Sequence, residues 1–294
     1  MKHMLNLPKK VYFRAGSLGV ALRELSEIYG FHRAYIVTDV NLYRSGAVSP
    51  VADFLRDHGL RTAEFFSLDG KATVEAVEQA VTGANLFEPD VILGIGGGTA
   101  MTAAKAVWMR CENPALSLAD AAAEPEKINA FAKSKLVLVA TDFATGAQNT
   151  PFAVLDDNGK ALVIKSFALL PEISVTDADF TKTLTAEQVE AGAKALAERA
   201  IRAFSDERCD EFAQGLLSEA IASVLNYTGY ALTGCPTARE KLHNAASVAG
   251  AALGNVLDAG DLSKPLPTKG ERLEALAERV GCASAEELYK RLAL

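Results

Sequence analysis

Three consecutive glycines, Gly96, Gly97 and Gly98, join an apolar segment to a segment with a helical pattern, and they could bind a phosphate group. Without Cβ atoms, these residues adopt turn dihedrals that others avoid, and the N–H groups that open the following helix attract anions. Thr99 follows directly, and Lys105 lies further along that helix. We predict a nucleotide diphosphate site here. Because the Gly-x-Gly-x-x-Gly spacing is absent, a turn that binds nothing stays open as the alternative.

Asp39 is the second candidate for nucleotide binding. It ends a β-branched and aromatic segment, so it should lie at the carboxyl edge of a parallel sheet, where such sheets bind ligands. There its carboxylate could accept hydrogen bonds from an adenosine ribose. A carboxylate that only caps a helix is the other interpretation.

Alternating strand and helix patterns in the first half predict a parallel sheet with helices on both faces, an α/β fold. The predicted strands cover residues 34–38, 62–66, 91–95, 136–140 and 173–176, and the predicted helices cover residues 18–28, 51–58 and 74–86. A turn between two short strands is expected around residues 155–160.

The second half is predicted to be helical throughout. Thr185 and Gln188 have the spacing of a capping box, and helical patterns cover residues 186–204, 212–225, 237–256, 271–280 and 285–294, with a linker at 264–270. We therefore place a Rossmann-like dinucleotide-binding domain at residues 1–177 and an all-helical domain at residues 178–294.

Composition narrows the class of partner and the compartment. The net charge of −7 without any basic run argues against nucleic acid, and no segment has the length of a membrane span. The four cysteines are scattered without a Cys-x-x-Cys pair, which indicates neither a disulfide framework nor a thiolate zinc site. We expect a cytoplasmic protein that binds a small molecule or a protein partner.

Several separated motifs carry a resemblance to a known family. They include Gly96-Gly97-Gly98-Thr99, Ala103-Ala104-Lys105, Thr145-Gly146, Thr150-Pro151-Phe152-Ala153-Val154 and Ala238-Arg239-Glu240-Lys241-Leu242-His243-Asn244-Ala245-Ala246. With these motifs the chain resembles the iron-dependent alcohol dehydrogenases, above all the alcohol dehydrogenase half of the bifunctional aldehyde-alcohol dehydrogenases.

The resemblance implies NAD(P) along the glycine turn and an active site in a cleft between the two domains. At the position where the family discriminates its cofactors, Asp39 favours NAD because a carboxylate repels a 2′-phosphate. Thr141, Thr145 and Gly146 fall where the family lines the cofactor cleft. The family also implies a homodimer formed through the N-terminal strand region. Association with a related protein is the other partner that we expect.

The same resemblance implies a divalent iron or zinc held by one Asp and three His, yet the matching positions here carry other residues. The Asp and His of one helical turn correspond to Lys194 and Glu198, or, with a one-residue shift, to Ala195 and Arg199. A later His-x-x-x-His segment corresponds to residues 262–266, which begin and end with leucine, and the last ligand would lie in a segment that we expect to be shortened. We therefore predict no metal.

Few residues remain as candidates for catalysis. Lys105, Lys194 and Glu198 could have polar roles, and Lys194 and Glu198 could form an ion pair where a metal once lay, although a solvated helix face is the favoured interpretation. His243 lies on an apolar-patterned helix, so we expect it to be a packing residue. Phe143 brings bulk where the family has Ser and could narrow or fill part of the nucleotide cleft.

Two functions remain open from sequence. We favour a degenerate homologue without metal-dependent alcohol or aldehyde redox activity, which serves nucleotide binding, regulation or assembly. The alternative is an active NAD(P)-dependent alcohol dehydrogenase with a non-standard or metal-free site.

Overall fold

A computed structural model of the chain describes residues 4–130 and 133–293. Within those residues, a parallel sheet of six strands has the order β1-β8-β5-β4-β2-β3, and β6 and β7 form a separate antiparallel hairpin. The strands are β1 (Lys10–Phe13), β2 (Arg33–Asp39), β3 (Arg61–Leu68), β4 (Val91–Gly96), β5 (Lys135–Ala140), β6 (Phe152–Asp157), β7 (Lys160–Lys165) and β8 (Ile173–Thr176). The predicted α/β fold with a parallel sheet is confirmed.

Strand β4 occupies the centre of this sheet, hydrogen-bonded to β2 on one side and β5 on the other, and every one of its residues is buried. Its continuous apolar sequence is typical of a parallel strand that is covered on both faces. Because the strands are parallel, the chain leaves β2, β4 and β5 at the same edge of the sheet. That edge therefore collects Asp39, the glycine turn and the segment from Thr141 onward.

Helices cover both faces of the sheet. They are α1 (Ser17–Glu27), α2 (Val40–Arg44), α3 (Ser49–Asp57), α4 (Val74–Phe87), α5 (Gly98–Glu112) and α6 (Leu118–Ala123). One apolar core joins residues of α1 and α3 to one face, and a second core joins α4, α5, α6 and the hairpin to the other face. Short 3-10 turns, including Ala147–Asn149 and Ala178–Thr183, occupy parts of the connections.

The second half is helical, as predicted. It contains α7 (Ala186–Phe204), α8 (Glu211–Leu232), α9 (Pro236–Val256), α10 (Glu271–Arg279) and α11 (Ala285–Leu292), which share one apolar core. The capping box of Thr185 and Gln188 opens α7 as expected. The sheet ends at Thr176 and α7 begins at Ala186, so the predicted boundary at residue 177 falls between them, and the division into two domains stays a prediction.

The helical part packs closely against the loops that leave the sheet. Gly146 and Gly250 meet backbone to backbone: a Cβ at Gly146 would lie 2.1 Å from the carbonyl oxygen of Ala246, and one at Gly250 would lie 2.1 Å from the carbonyl oxygen of Gly146. Asn149 donates hydrogen bonds from Nδ2 to the carbonyl oxygen and the hydroxyl of Ser247 at 2.9 and 2.7 Å. These contacts fix α9 against the sheet edge.

Candidate functional site

The glycine turn lies between the end of β4 and the start of α5, where the sequence placed it. Gly96 has φ +148°, a conformation open to glycine, and a Cβ there would lie 2.7 Å from the Cβ of Ala100. Gly97 is the N-cap of α5 and makes no side-chain cap, so the first N–H groups of α5 lack a partner from a capping side chain. The backbone is therefore arranged as an anion-binding helix start should be.

Asp142, two residues after the end of β5, lies against this turn. A Cβ built on Gly97 would lie only 2.2 Å from Oδ2 of Asp142, which places the carboxylate directly over that glycine. Its other oxygen, Oδ1, accepts a hydrogen bond from the backbone N–H of Ala144 at 3.0 Å. Burial raises the pKa of Asp142 above its ordinary value, against the opposing influence of Arg199. The chain thus places a carboxylate of its own beside the predicted phosphate position.

Asp39 lies on the other side of the turn. Its Oδ1 accepts hydrogen bonds from the backbone N–H groups of Asn41 and Leu42 at 3.0 and 2.9 Å, and so it caps α2. Its Oδ2 would lie 3.2 Å from a Cβ on Gly96. The capping interpretation is confirmed, while contact with a ribose stays a prediction.

A cleft of about 890 Å³ opens from the glycine turn toward the helical half. Its walls come from α5, the hairpin, α7 and the segment after α9. Three of the residues predicted to bind a cofactor line the cleft: Gly98, Thr99 and Thr145. Other polar residues of the lining are Thr102, Thr150, Lys71 and Ser263. Lys71 is neutralised by an ion pair with Asp156 at 2.7 Å.

The two other predicted cofactor residues of this region, Thr141 and Gly146, serve the interior. Thr141 is 8% exposed, and its backbone N–H donates to the carbonyl oxygen of Gly96 at 3.1 Å. Gly146 makes the close backbone contact with α9 described above. Their contact with a cofactor stays a prediction.

Two arginines of α7 line the cleft. Arg199 and Arg202 are three residues apart, so their side chains leave the same face of the helix. Burial and the neighbouring charge of Arg202 lower the pKa of Arg199 from its ordinary value, while Asp142 and Glu198 act in the opposite direction. The cleft face of α7 therefore carries concentrated positive charge.

The two alternative residue pairs on α7 that the resemblance left open differ in their exposure and in their contact with the cleft. Arg199 lies on the cleft, whereas Lys194 is exposed and Glu198 is half-buried. Over the described residues, the ion pairs of the chain do not include one between Lys194 and Glu198. The favoured interpretation of Lys194 as solvated is therefore supported, and the shifted pair, Ala195 and Arg199, brings a residue to the cleft.

Lys105 is fully buried and lies off the cleft lining. Its Nζ donates to the carbonyl oxygens of Ala147 (2.7 Å), Thr150 (2.5 Å) and Phe152 (3.0 Å), and to the hydroxyl of Thr150 (3.2 Å). Burial lowers the pKa of Lys105 to about 7. This lysine holds the loop from Ala147 to Phe152 in place, which is a positioning role.

Phe143 does not narrow the cleft, and that expectation was wrong. Its ring is 1% exposed and belongs to the apolar core of the helical half, where it lies against Gly192. Burial of this aromatic ring among the helices removes apolar surface from water, which stabilises the fold. The neighbouring Asp142 is the residue that covers the turn.

His243 is a packing residue, as predicted, with its imidazole fully buried in α9. Burial lowers the pKa of His243 to about 3, so the ring is neutral at physiological pH. In the part of the chain that the structure describes, no three His, Cys, Asp or Glu side chains are grouped so that they could hold a metal ion. Over the same residues, no helix is both long and apolar enough to cross a membrane.

The sequence alone did not single out Arg202, Asp142 or Thr102 as functional residues. One signal was available for Arg202. It follows Arg199 at a spacing of three on a strongly amphipathic helix, which predicts a shared face. The contact of Asp142 with Gly97 joins two loops more than 40 positions apart, and only the register of β4 and β5 brings them together.

Comparison with known proteins identifies the family of this chain. Residues 8–178 match the family model described as iron-containing alcohol dehydrogenase. The bifunctional aldehyde-alcohol dehydrogenase AdhE of Escherichia coli (strain K12) is 32% identical over 262 residues, which cover 85% of this chain and 29% of that protein. Aldehyde-alcohol dehydrogenase 2 of Entamoeba histolytica is 31% identical over 261 residues, covering 84% and 29%. The chain thus spans less than a third of the length of these relatives.

Solved structures share the fold. An iron-containing alcohol dehydrogenase from Thermococcus thioreducens superposes with a TM-score of 0.87 at 20% identity, covering 99% of this chain and 84% of that one. A sulfoacetaldehyde reductase from Bifidobacterium kashiwanohense, solved in complex with NAD+, gives a TM-score of 0.85 at 19% identity, with 100% and 87% covered. At these identities the likeness establishes the fold alone.

Proposed function

The chain belongs to the iron-containing alcohol dehydrogenase family, and from that premise we propose that it is a ligand-binding member without metal-dependent alcohol or aldehyde redox activity. One observation carries the proposal: the guanidinium groups of Arg199 and Arg202 line the cleft on α7. In one of the two alignments that the resemblance allows, Arg199 stands at the position of a metal ligand. A guanidinium stays protonated and offers only donors, so it repels a divalent cation and cannot ligate one.

The rest of the expected ligand set does not fit a metal either. Iron and zinc in such sites need carboxylate, imidazole or thiolate ligands. Leu262, at another implied ligand position, lines the cleft with an apolar side chain, and Ala195 has no ligand atom. When bound, the metal of the family acts as a Lewis acid on the alcohol oxygen. The residues of this cleft supply no substitute for that chemistry, and they are suited to bind and orient an anionic ligand.

NAD remains the cofactor proposed for the glycine turn. Gly98, Thr99 and Thr145 on the cleft wall support it, and so does the NAD+ complex of the sulfoacetaldehyde reductase that shares the fold. Asp142 opposes it, because its carboxylate lies over Gly97, where a diphosphate would have to approach. We therefore propose weak dinucleotide binding.

Metal analysis combined with turnover assays tests the proposed function. Protein purified with iron or zinc in all buffers should carry far less than one metal ion per chain, and it should not oxidise alcohols or reduce aldehydes with NAD(H) or NADP(H). The double variant Ala195→Asp with Arg199→His is the matched comparison, since it installs the Asp and His implied at these positions. Stoichiometric metal together with turnover in the unmodified chain would instead establish the alternative, an active NAD(P)-dependent alcohol dehydrogenase.

A homodimer through the N-terminal strand is a separate proposal. Strand β1 is an edge of the sheet, and Val11 and Phe13 on it are 38% and 54% exposed. An edge strand with exposed apolar side chains is a template for pairing with another chain. Light scattering should give twice the mass of the chain, and Phe13→Asp should shift it to the monomer. A monomeric unmodified chain at micromolar concentration would contradict this proposal.

A further inference from the structure

Arg199 and Arg202 have no partner for their charges within the described residues. Neither guanidinium takes part in an ion pair or a side-chain hydrogen bond there, whereas the little-exposed Arg110 pairs with Glu78 and the buried Arg239 donates to the carbonyl oxygen of Thr181. Nε of Arg202 is buried and unpaired. A buried charged donor without an acceptor is costly, and native structures usually supply the missing partner as an ion, a ligand or a water.

The position of the two groups on one helix adds to that cost. Residues three apart on α7 hold like charges on the same face, where they repel each other. The acidic groups that act on Arg199 from nearby are Asp142 and Glu198, and neither reaches ion-pair distance among the residues described. A bound anion would relieve both the repulsion and the unpaired donors.

Two hydroxyl groups in the lining of the same cleft can donate to such an anion. Oγ1 of Thr145 accepts the backbone N–H of Ala147 at 3.2 Å, and Oγ1 of Thr102 accepts that of Val154 at 3.4 Å. A threonine hydroxyl that accepts one hydrogen bond keeps its own hydrogen for another acceptor. Both threonines line the same cleft as the arginines.

Beyond these polar groups, the cleft is apolar. Phe152, Val154, Leu155, Val163 and Leu253 contribute to its walls. A volume of about 890 Å³ is far more than a free anion needs and falls in the range for organic ligands. The cleft thus combines a doubly cationic end with room for an apolar group.

We propose that this cleft binds a phosphate monoester with an apolar body, its phosphate held by Arg199 and Arg202 and by the hydroxyls of Thr102 and Thr145. A monoester dianion balances two guanidinium charges and offers three terminal oxygens to planar, forked donors. The inference rests on the proposed function, because a metal ion at the same place would compete for the space beside Arg199.

Calorimetry with three probes tests the ligand class. Phenyl phosphate should bind saturably to the unmodified chain, inorganic phosphate should bind more weakly, and the neutral analogue benzamide should give no signal. Inorganic phosphate equal to or tighter than phenyl phosphate would overturn the assignment of an apolar body. Absence of binding for both phosphates, or benzamide binding as tightly as phenyl phosphate does, would overturn the whole inference.

Charge-removing variants locate the site. Arg199→Gln and Arg202→Gln should each weaken phenyl phosphate binding by roughly 10- to 100-fold, the range for a lost hydrogen bond to a charged group. Arg61→Gln removes the same charge from an exposed strand position and should bind as the unmodified chain does. Unchanged binding in both cleft variants would refute the site. If a variant fails to fold, the comparison of phenyl phosphate with benzamide on the unmodified chain still decides.

Failure of this inference is distinct from failure of the proposed function. Metal content and turnover are read on the same preparation without any phosphate ester. If the preparation carries no metal, shows no turnover and does not bind phenyl phosphate, only the proposed ligand class is refuted. Stoichiometric metal with turnover refutes the proposed function whatever phenyl phosphate does.

Discussion

Replacing Asp142 with serine should raise the affinity of the chain for NAD. Oδ2 of Asp142 lies 2.2 Å from the position of a Cβ on Gly97, so a phosphate that accepts the N–H groups of this turn would come within about 4 Å of the carboxylate. Two unit charges at that distance repel by about 4 kcal/mol at an effective dielectric constant of 20. Arg199 offsets part of this repulsion.

After that offset, about 2 to 3 kcal/mol should be recovered in Asp142→Ser, or roughly a 30- to 150-fold lower dissociation constant for NAD at pH 8. Asp57→Ser is the matched control, since it removes the same charge from an exposed position at the end of α3. Isothermal titration calorimetry measures both variants against the unmodified chain. Equal NAD affinity in all three would refute the argument that Asp142 obstructs the turn.

The same reasoning predicts the pH dependence of binding. Because burial raises the pKa of Asp142, its carboxylate takes up a proton at a less acidic pH than an ordinary aspartate does. NAD binding to the unmodified chain should therefore strengthen as pH falls through that range, and Asp142→Ser should lose this dependence. A parallel pH profile for both proteins would contradict the assignment of the effect to Asp142.

Three further predictions concern how the cleft is held together. Gly146→Ala should lower the free energy of unfolding by about 2 to 4 kcal/mol in urea titrations, since φ is +60° and the new Cβ would meet α9. The control Gly215→Ala, on an open helix face, should raise the free energy of unfolding by about 0.5 to 1 kcal/mol. A smaller loss for Gly146→Ala than for an ordinary surface substitution would contradict the close contact. Lys105 has a pKa of about 7 in the folded chain against 10.5 in the unfolded chain. Between these two pH values only the unfolded chain holds the proton, so the free energy of unfolding should rise with pH, by up to about 5 kcal/mol. Lys105→Met should abolish that rise in chemical denaturation at pH 7 and pH 10, and an unchanged rise would show that other groups cause it. Phe143→Ala should cost about 3 to 5 kcal/mol, because the ring is 1% exposed in the helical core, and a loss under 1 kcal/mol in the same assay would place the ring outside that core.

Local pattern was enough to predict most elements of this fold. The apolar run of β4, the caps at Thr73 and Thr185 and the long helical repeats of the second half each depend on residues close in sequence. The same local information placed the glycine turn at the start of a helix. Strand β1 was not predicted, because its four residues alternate between half-buried and exposed and it is recognisable only by its pairing with β8.

The sequence by itself determined the α/β pattern and the helical second half, because each is a property of residue type at a known spacing. Only the tertiary structure decided what surrounds the glycine turn. Asp142 reaches Gly97 through the pairing of β4 with β5, and Arg199 and Arg202 reach the cleft through the packing of α7 against the sheet edge. The physical reason is that charge and volume act through space, so the chemistry of a cleft is set by residues that the chain keeps far apart in sequence.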